Sequence, residues 1–189
     1  MTLKEMLVPT YVQMLGALSA WLGKAEAQLD ADKAAGLMQA RLAADMFPLF
    51  TQVCFVCVQA QEGVLRLRQE EFPESVAALR NKGLEAASAE WTIAGARAII
   101  AETLVLVEQG AADMADLPPE TPIAHALPMG MIFDFTAEQY VRDWALPQFY
   151  FHVMAAYAIL RAEGVQLGKA DYVAHLFAYL RPGTMPAPG

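Results

Sequence analysis

The chain has 189 residues, 56% of them hydrophobic, with 13 Lys and Arg against 21 Asp and Glu for a net charge of −8. That length suits one domain of ~100–200 residues, and so acidic a surface argues against nucleic acid or an anionic membrane as partner. No apolar stretch approaches the ~18–20 residues needed to cross a bilayer, and two cysteines do not make a disulfide framework. The N-terminal segment lacks a basic start and a small-residue cleavage site, so no signal peptide is read and the cytoplasm is the expected location.

The first helix is predicted over residues 3–29, where Leu7, Val8, Tyr11, Met14, Leu15, Leu18, Trp21 and Leu22 recur at three- and four-residue steps. Asp30, Asp32 and Gly36 mark a connection. A second helix is predicted over residues 45–68, with Asp45 as its N-cap and Pro48 in its first turn. Its middle, Val53-Cys54-Phe55-Val56-Cys57-Val58, is apolar on every side, as in a helix deep in a bundle or at a subunit contact. A strand is the alternative there, and the glutamine-rich flanks and the length favour the helix.

Residues 73–84 read as a connector with a short helix around 76–80, followed by a third long helix over 87–109 that ends at Gly110. Between residues 121 and 135, Ile123, His125 and Leu127 alternate with smaller residues. A Pro128-Met129-Gly130 turn and Ile132-Phe133-Asp134-Phe135 follow. This reads as a small β-hairpin, with an irregular excursion as the alternative. Thr136 and Gln139 form a capping-box pattern at the head of the last long helix, which runs to residue 163 and which Pro147 should kink. A short helix over 170–180 should pack outside. Four long helices with long crossovers predict an all-α four-helix bundle, one domain over residues 1–180, with residues 181–189 as a loose tail.

Few residues carry chemistry. Cys54 and Cys57 match C-x-x-C, but they fall mid-helix in the most apolar stretch, so they read as buried structural thiols. None of His125, His152 and His175 is paired with another at helical spacing; Gln148 and Ala156 flank His152 four residues away. His152 is therefore read as a hydrogen-bonded core residue, or as a polar group in a pocket lined by the rings of the last helix. On that helix Asp143, Tyr150, Tyr157 and Arg161 fall near one face, with Gln148 and His152 on another. Asp45 reads as a cap, or as an ion-pair partner of Arg41 at a bundle end. Ser19, Ser75 and Ser88 have no neighbouring histidine to activate them.

Two stretches, Arg41-Leu42-Ala43-Ala44-Asp45-Met46-Phe47-Pro48-Leu49 and Phe151-His152-Val153-Met154-Ala155-Ala156-Tyr157-Ala158-Ile159-Leu160-Arg161, resemble signatures of a bacterial domain-of-unknown-function family, DUF1993, in the DinB/YfiT-like superfamily. The trailing Gly164-Val165-Gln166-Leu167-Gly168-Lys169-Ala170-Asp171 fits its ending. The resemblance implies a DinB/YfiT-like bundle and a homodimer. Better-known members of the superfamily hold a divalent metal through one histidine on the second helix and an H-x-x-x-H pair on the fourth. Carried over residue by residue, that set fails: the second helix has no histidine and Ala156 stands where the last is needed, leaving His152 alone. The missing histidines disfavour a divalent metal without excluding it, and no other cofactor is implied. Three readings remain: a small-molecule pocket lined by Arg41, Asp45, His152 and Tyr157; a non-catalytic dimeric module; and a metal-dependent transferase or hydrolase with a rearranged site of His152, Asp45 and a further carboxylate.

Overall fold

A computed structural model describes residues 1–86, 90–127 and 129–184. Helix α1 (Leu3–Gln28) opens on a capping box, Thr2 Oγ1 accepting from the Glu5 amide and the Glu5 carboxylate accepting from the Thr2 amide. A short helix α2 (Ala31–Gly36) and a single tighter turn (Leu37–Gln39) lead into the exposed loop that carries Arg41 and Asp45.

Helix α3 (Leu49–Leu67) begins three residues later than an Asp45 N-cap implies, with Pro48 as its cap residue. Asp45 is thus not an N-cap. Pro48 sits in extended backbone at φ −70° and ψ 167°, and its carbonyl accepts the Gln52 amide, so the proline itself starts the helix. The all-round apolar pattern is matched by burial on nearly every face, because α3 packs against α4 (Glu74–Leu84), α5 (Ile93–Ala112), α7 (Leu146–Ala162) and α1. The connector thus holds a longer helix than 76–80. The four long helices form a ring in the order α1–α5–α3–α7, the four-helix bundle expected from the sequence.

Two helix ends differ from the pattern. Thr92 caps α5 through its hydroxyl, which accepts the Gly95 amide, and the first predicted turn of that helix falls partly on residues 87–89, outside the described residues. Gly110 does not end α5 but lies inside it. A Cβ there would stand 2.7 Å from Val64 Cγ1, so the glycine permits the close approach of α5 to α3.

The hairpin is present: β1 (Pro122–Ala126) pairs antiparallel with β2 (Ile132–Thr136), placing His125 opposite Phe133 and Ile123 opposite Phe135. Gly130 takes φ +88° in its turn, while Pro128 lies outside the described residues. The Thr136–Gln139 capping box then starts α6 (Ala137–Gln139), which continues through Tyr140–Ala145 as a widened π-type turn into α7. The Leu146 amide reaches back to the Val141 carbonyl, five residues away. This widening takes up Pro147, which follows directly and has no N–H to give, so the helix passes the proline without breaking.

Beyond Gly164 (φ +89°), helix α8 (Lys169–Tyr172) and a tighter turn (Ala174–Tyr179) lie outside the bundle, where Tyr172 stacks on Trp21 at 5.8 Å. Residues 185–189 of the expected tail lie outside the described residues. Among the described residues no helix is long and apolar enough to cross a membrane.

Candidate functional site

Helix α3 turns one stripe, Phe55, Val58, Gln59 and Glu62, towards the hairpin, since these positions recur at three- and four-residue steps. Facing it is a second stripe, Trp144, Gln148 and His152, at four-residue spacing along the π turn and α7. Arg80 of α4, Phe72 before it, and His125, Leu127 and Met129 of the hairpin close the sides. Together they line a cleft of about 600 Å³. This is within the ~300–1,000 Å³ of ordinary small-molecule sites.

The polar groups of this cleft are unusual in what they lack. His125 is 2% exposed, yet neither ring nitrogen has a hydrogen-bond partner. Its ring sits among Trp144 at 4.7 Å, Tyr140 at 5.4 Å and Phe72 at 6.5 Å, contacts that bury it without satisfying it. Trp144 Nε1 and Gln59 Oε1 are likewise buried and unpartnered. Buried polar atoms are overwhelmingly paired in folded proteins, and leaving one unpaired costs about 1–3 kcal/mol. Three side chains in this condition line one cavity.

Glu62 is 2% exposed and accepts a hydrogen bond from Arg80 Nη2. Burial nevertheless raises its pKa, the pull of Arg80 and Arg66 opposing that rise. Burial, helped by Arg66 and Arg80, pushes the His125 imidazole down to about 4, so it is neutral near pH 7. His152 is also held down at about 4, by burial alone.

His152 is 8% exposed and joins both readings made from the sequence. Gln52 Nε2 donates to the Phe47 carbonyl at 3.2 Å, which turns Gln52 Oε1 towards His152 Nδ1 at 2.8 Å. The oxygen accepts, so Nδ1 carries the proton and Nε2 keeps its lone pair. Phe55 and Phe151 hold the ring edge-on at 5.1 and 5.2 Å.

The other sequence candidates lie elsewhere. Arg41 and Asp45 are exposed in the loop before α3; Arg41 donates to the Ala44 carbonyl at 3.5 Å rather than to Asp45. Tyr157 faces α1 and α8, packed on Trp21 at 5.3 Å and Tyr172 at 6.0 Å. Asp143 pairs with its neighbour Arg142, and Arg161 donates to the Leu167 carbonyl. Of the four proposed lining residues, His152 alone reaches the cleft. The cysteines are buried, with both thiols pushed up to about 12 by burial, which makes them inert.

The missed residues left only faint signals. Gln59 and Glu62 stand at helical spacing on a largely apolar helix, and Trp144, Gln148 and His152 share a stripe. Nothing in the sequence brings His125 to them, because the hairpin folds back over the bundle.

A family model described as a domain of unknown function, DUF1993, matches residues 3–173. The chain belongs to the DUF1993 family. Among solved structures it is similar to a DinB family member protein from Shewanella denitrificans, at 30% identity and a TM-score of 0.67, over 99% of this chain and 95% of that one. No curated protein matches. The three-histidine metal set of the superfamily does not fit this DUF1993 chain. Helix α3 carries no histidine, Ala156 offers no donor, and no three His, Cys, Asp or Glu side chains among the described residues group as metal ligands. DinB-like architecture alone does not carry the chemistry across.

Proposed function

We propose that this protein binds a small organic molecule, without a metal, in the cleft between α3, α7 and the hairpin. The observation that carries the reading is the cluster of buried, unpartnered polar atoms on His125, Trp144 and Gln59 around that cleft. A ligand able to donate to Gln59 Oε1 and accept from Trp144 Nε1–H meets both, and His125 supplies one donor and one acceptor more. Phe55, Val58, Phe72 and Leu127 give its body an apolar wall. This is the binding reading made from the sequence, moved from Arg41, Asp45 and Tyr157 to a different set of residues.

Native mass spectrometry of protein purified under mild conditions tests it. The expected result is a bound small molecule, or a specific adduct from a metabolite mixture, that is lost on His125→Phe. Equal binding by wild type and variant refutes the assignment of the cleft.

A homodimeric module is the second reading. It is supported by the exposed apolar side chains of the hairpin, Met129, Met131, Ile132 and Phe133, and of Phe151 and Met154 on α7. Light scattering at micromolar concentration tests it: a monomer refutes it. The two readings are compatible, because the hairpin both walls the cleft and carries the apolar side chains.

A further inference from the structure

We propose that the ligand of this cleft is an uncharged primary carboxamide on an apolar or aromatic body; this rests on the ligand-site reading above and names the class of molecule. The charged groups that line the cleft cancel. Arg80 and Glu62 are paired with each other. His125 and His152 are held at about 4, so both rings are neutral near pH 7. A charged ligand of either sign would give up its hydration on entering and meet no uncommitted counter-charge among the described lining residues. Phe55, Val58, Phe72 and Leu127 offer it apolar wall only.

The uncharged polar groups set what the ligand must offer. His152 gives its Nδ1–H to Gln52 Oε1 at 2.8 Å. His152 lines the cleft and Gln52 does not, so the ring edge left to the cleft carries Nε2 with its lone pair. Gln59 Oε1 is a second acceptor without a partner, Trp144 Nε1–H a donor without one, and a neutral His125 has one unpartnered nitrogen of each kind. These atoms amount to three acceptors and two donors. Gln148 and the Arg80–Glu62 pair add both kinds and no net charge. A primary carboxamide carries two N–H donors and a carbonyl that accepts twice, so it can meet both donors and two of the three acceptors. A carboxylate has no donor and sets its lone pairs against all three acceptors. An ammonium leaves both donors unmet, and a hydroxyl serves one acceptor only.

Four probes that share one body separate charge and donor count from fit: 3-phenylpropionamide, its N,N-dimethyl amide, 3-phenylpropionate and 3-phenylpropylammonium, each titrated at pH 7.5 by isothermal calorimetry. The expected result is that the primary amide binds roughly tenfold tighter than each of the other three. The dimethyl amide keeps the carbonyl and loses both donors, so it reads the acceptors of the cleft without altering the protein. Trp144→Phe, which keeps a ring and removes the N–H, should weaken the primary amide roughly tenfold. Equal or tighter binding of the carboxylate, the ammonium or the dimethyl amide overturns the carboxamide assignment and leaves the ligand-site reading standing. Undiminished amide binding by a folded Trp144→Phe also overturns it, and if that variant does not fold, the four probes decide on the wild type alone. If none of the four binds at millimolar concentration, the inference fails. The ligand-site reading fails with it only if native mass spectrometry also finds no ligand.

Discussion

Replacing Arg80 with Met leaves Glu62 almost fully buried beside no hydrogen-bonded cation. Breaking one side of a buried ion pair costs about 3–5 kcal/mol where the remaining charge has no other recourse. Here the Arg80 side chain is 27% exposed, so solvent already screens part of the attraction. Glu62 can also take up a proton, since burial raises its pKa even with Arg80 in place. The expected loss at neutral pH is therefore about 1–3 kcal/mol. The sign of its pH dependence follows from linkage. A carboxyl whose folded pKa is raised binds more protons in the native state than in the unfolded one over the interval between the two pKa values. Its contribution to stability is therefore most favourable below the unfolded value and worsens as pH rises through that interval. Removing Arg80 raises the folded value further, so the penalty should grow from pH 5 to pH 8. Urea unfolding at both pH values measures it, with Glu62→Gln/Arg80→Met as the double variant that restores most of the loss. A loss that is independent of pH, or none at all, refutes the account of Glu62 as a buried charge held by Arg80.

Other consequences are simpler to measure. Cys54 and Cys57, with thiols pushed up to about 12, should resist a thiol reagent in the native protein at pH 8 and react only as fast as the chain unfolds. Gly63→Ala should destabilise by about 1–2 kcal/mol, the overpacking cost less the gain in helix propensity. A Cβ there would stand 2.3 Å from the hydroxyl of the fully buried Tyr11, whose ring is held by Phe149 at 4.6 Å. Gly16→Ala, with nothing within 4 Å, should instead stabilise α1 by up to about 1 kcal/mol in thermal or urea unfolding. His125 and His152 are both held at about 4, so the unfolded chain takes up protons below its ordinary histidine value that the native chain refuses. Stability should fall as pH drops from about 6.5 towards 4, and imidazole Cε1 proton shifts should place both native titrations at the bottom of that range.

The bundle was legible because its signals are local. Leu7 through Leu22, the Thr136–Gln139 box and the apolar run of α3 each report a period or a cap within a few residues. The alternation of Ile123, His125 and Leu127 was enough to find the hairpin. The misplacements have local causes too: Asp45 had the chemistry of a cap, but Pro48 three residues on fixes the extended backbone from which α3 starts. Gly110 resembles a helix stop and serves packing against Val64 instead. The cleft was another matter. Its floor belongs to α3, its walls to α4, the hairpin and α7, and the rotation of one helix against another is set by packing over the whole core. Arg41, Asp45 and Tyr157 were grouped with His152 as polar residues of the two signature stretches, with no signal in the sequence that places one stretch beside the other, whereas Glu62, Arg80 and His125 are brought there only by the tertiary fold.

The central claim, that this cleft binds an organic ligand through its unpartnered polar atoms, is tested most directly by a fragment screen read at the Trp144 indole N–H and the His125 ring in heteronuclear NMR spectra. The account predicts that fragments which bind will shift both signals together and that Trp144→Phe will weaken them, with the far face of the bundle around Trp21 and Tyr157 unmoved. Fragment shifts gathered at any other surface, with Trp144 and His125 silent, would contradict it.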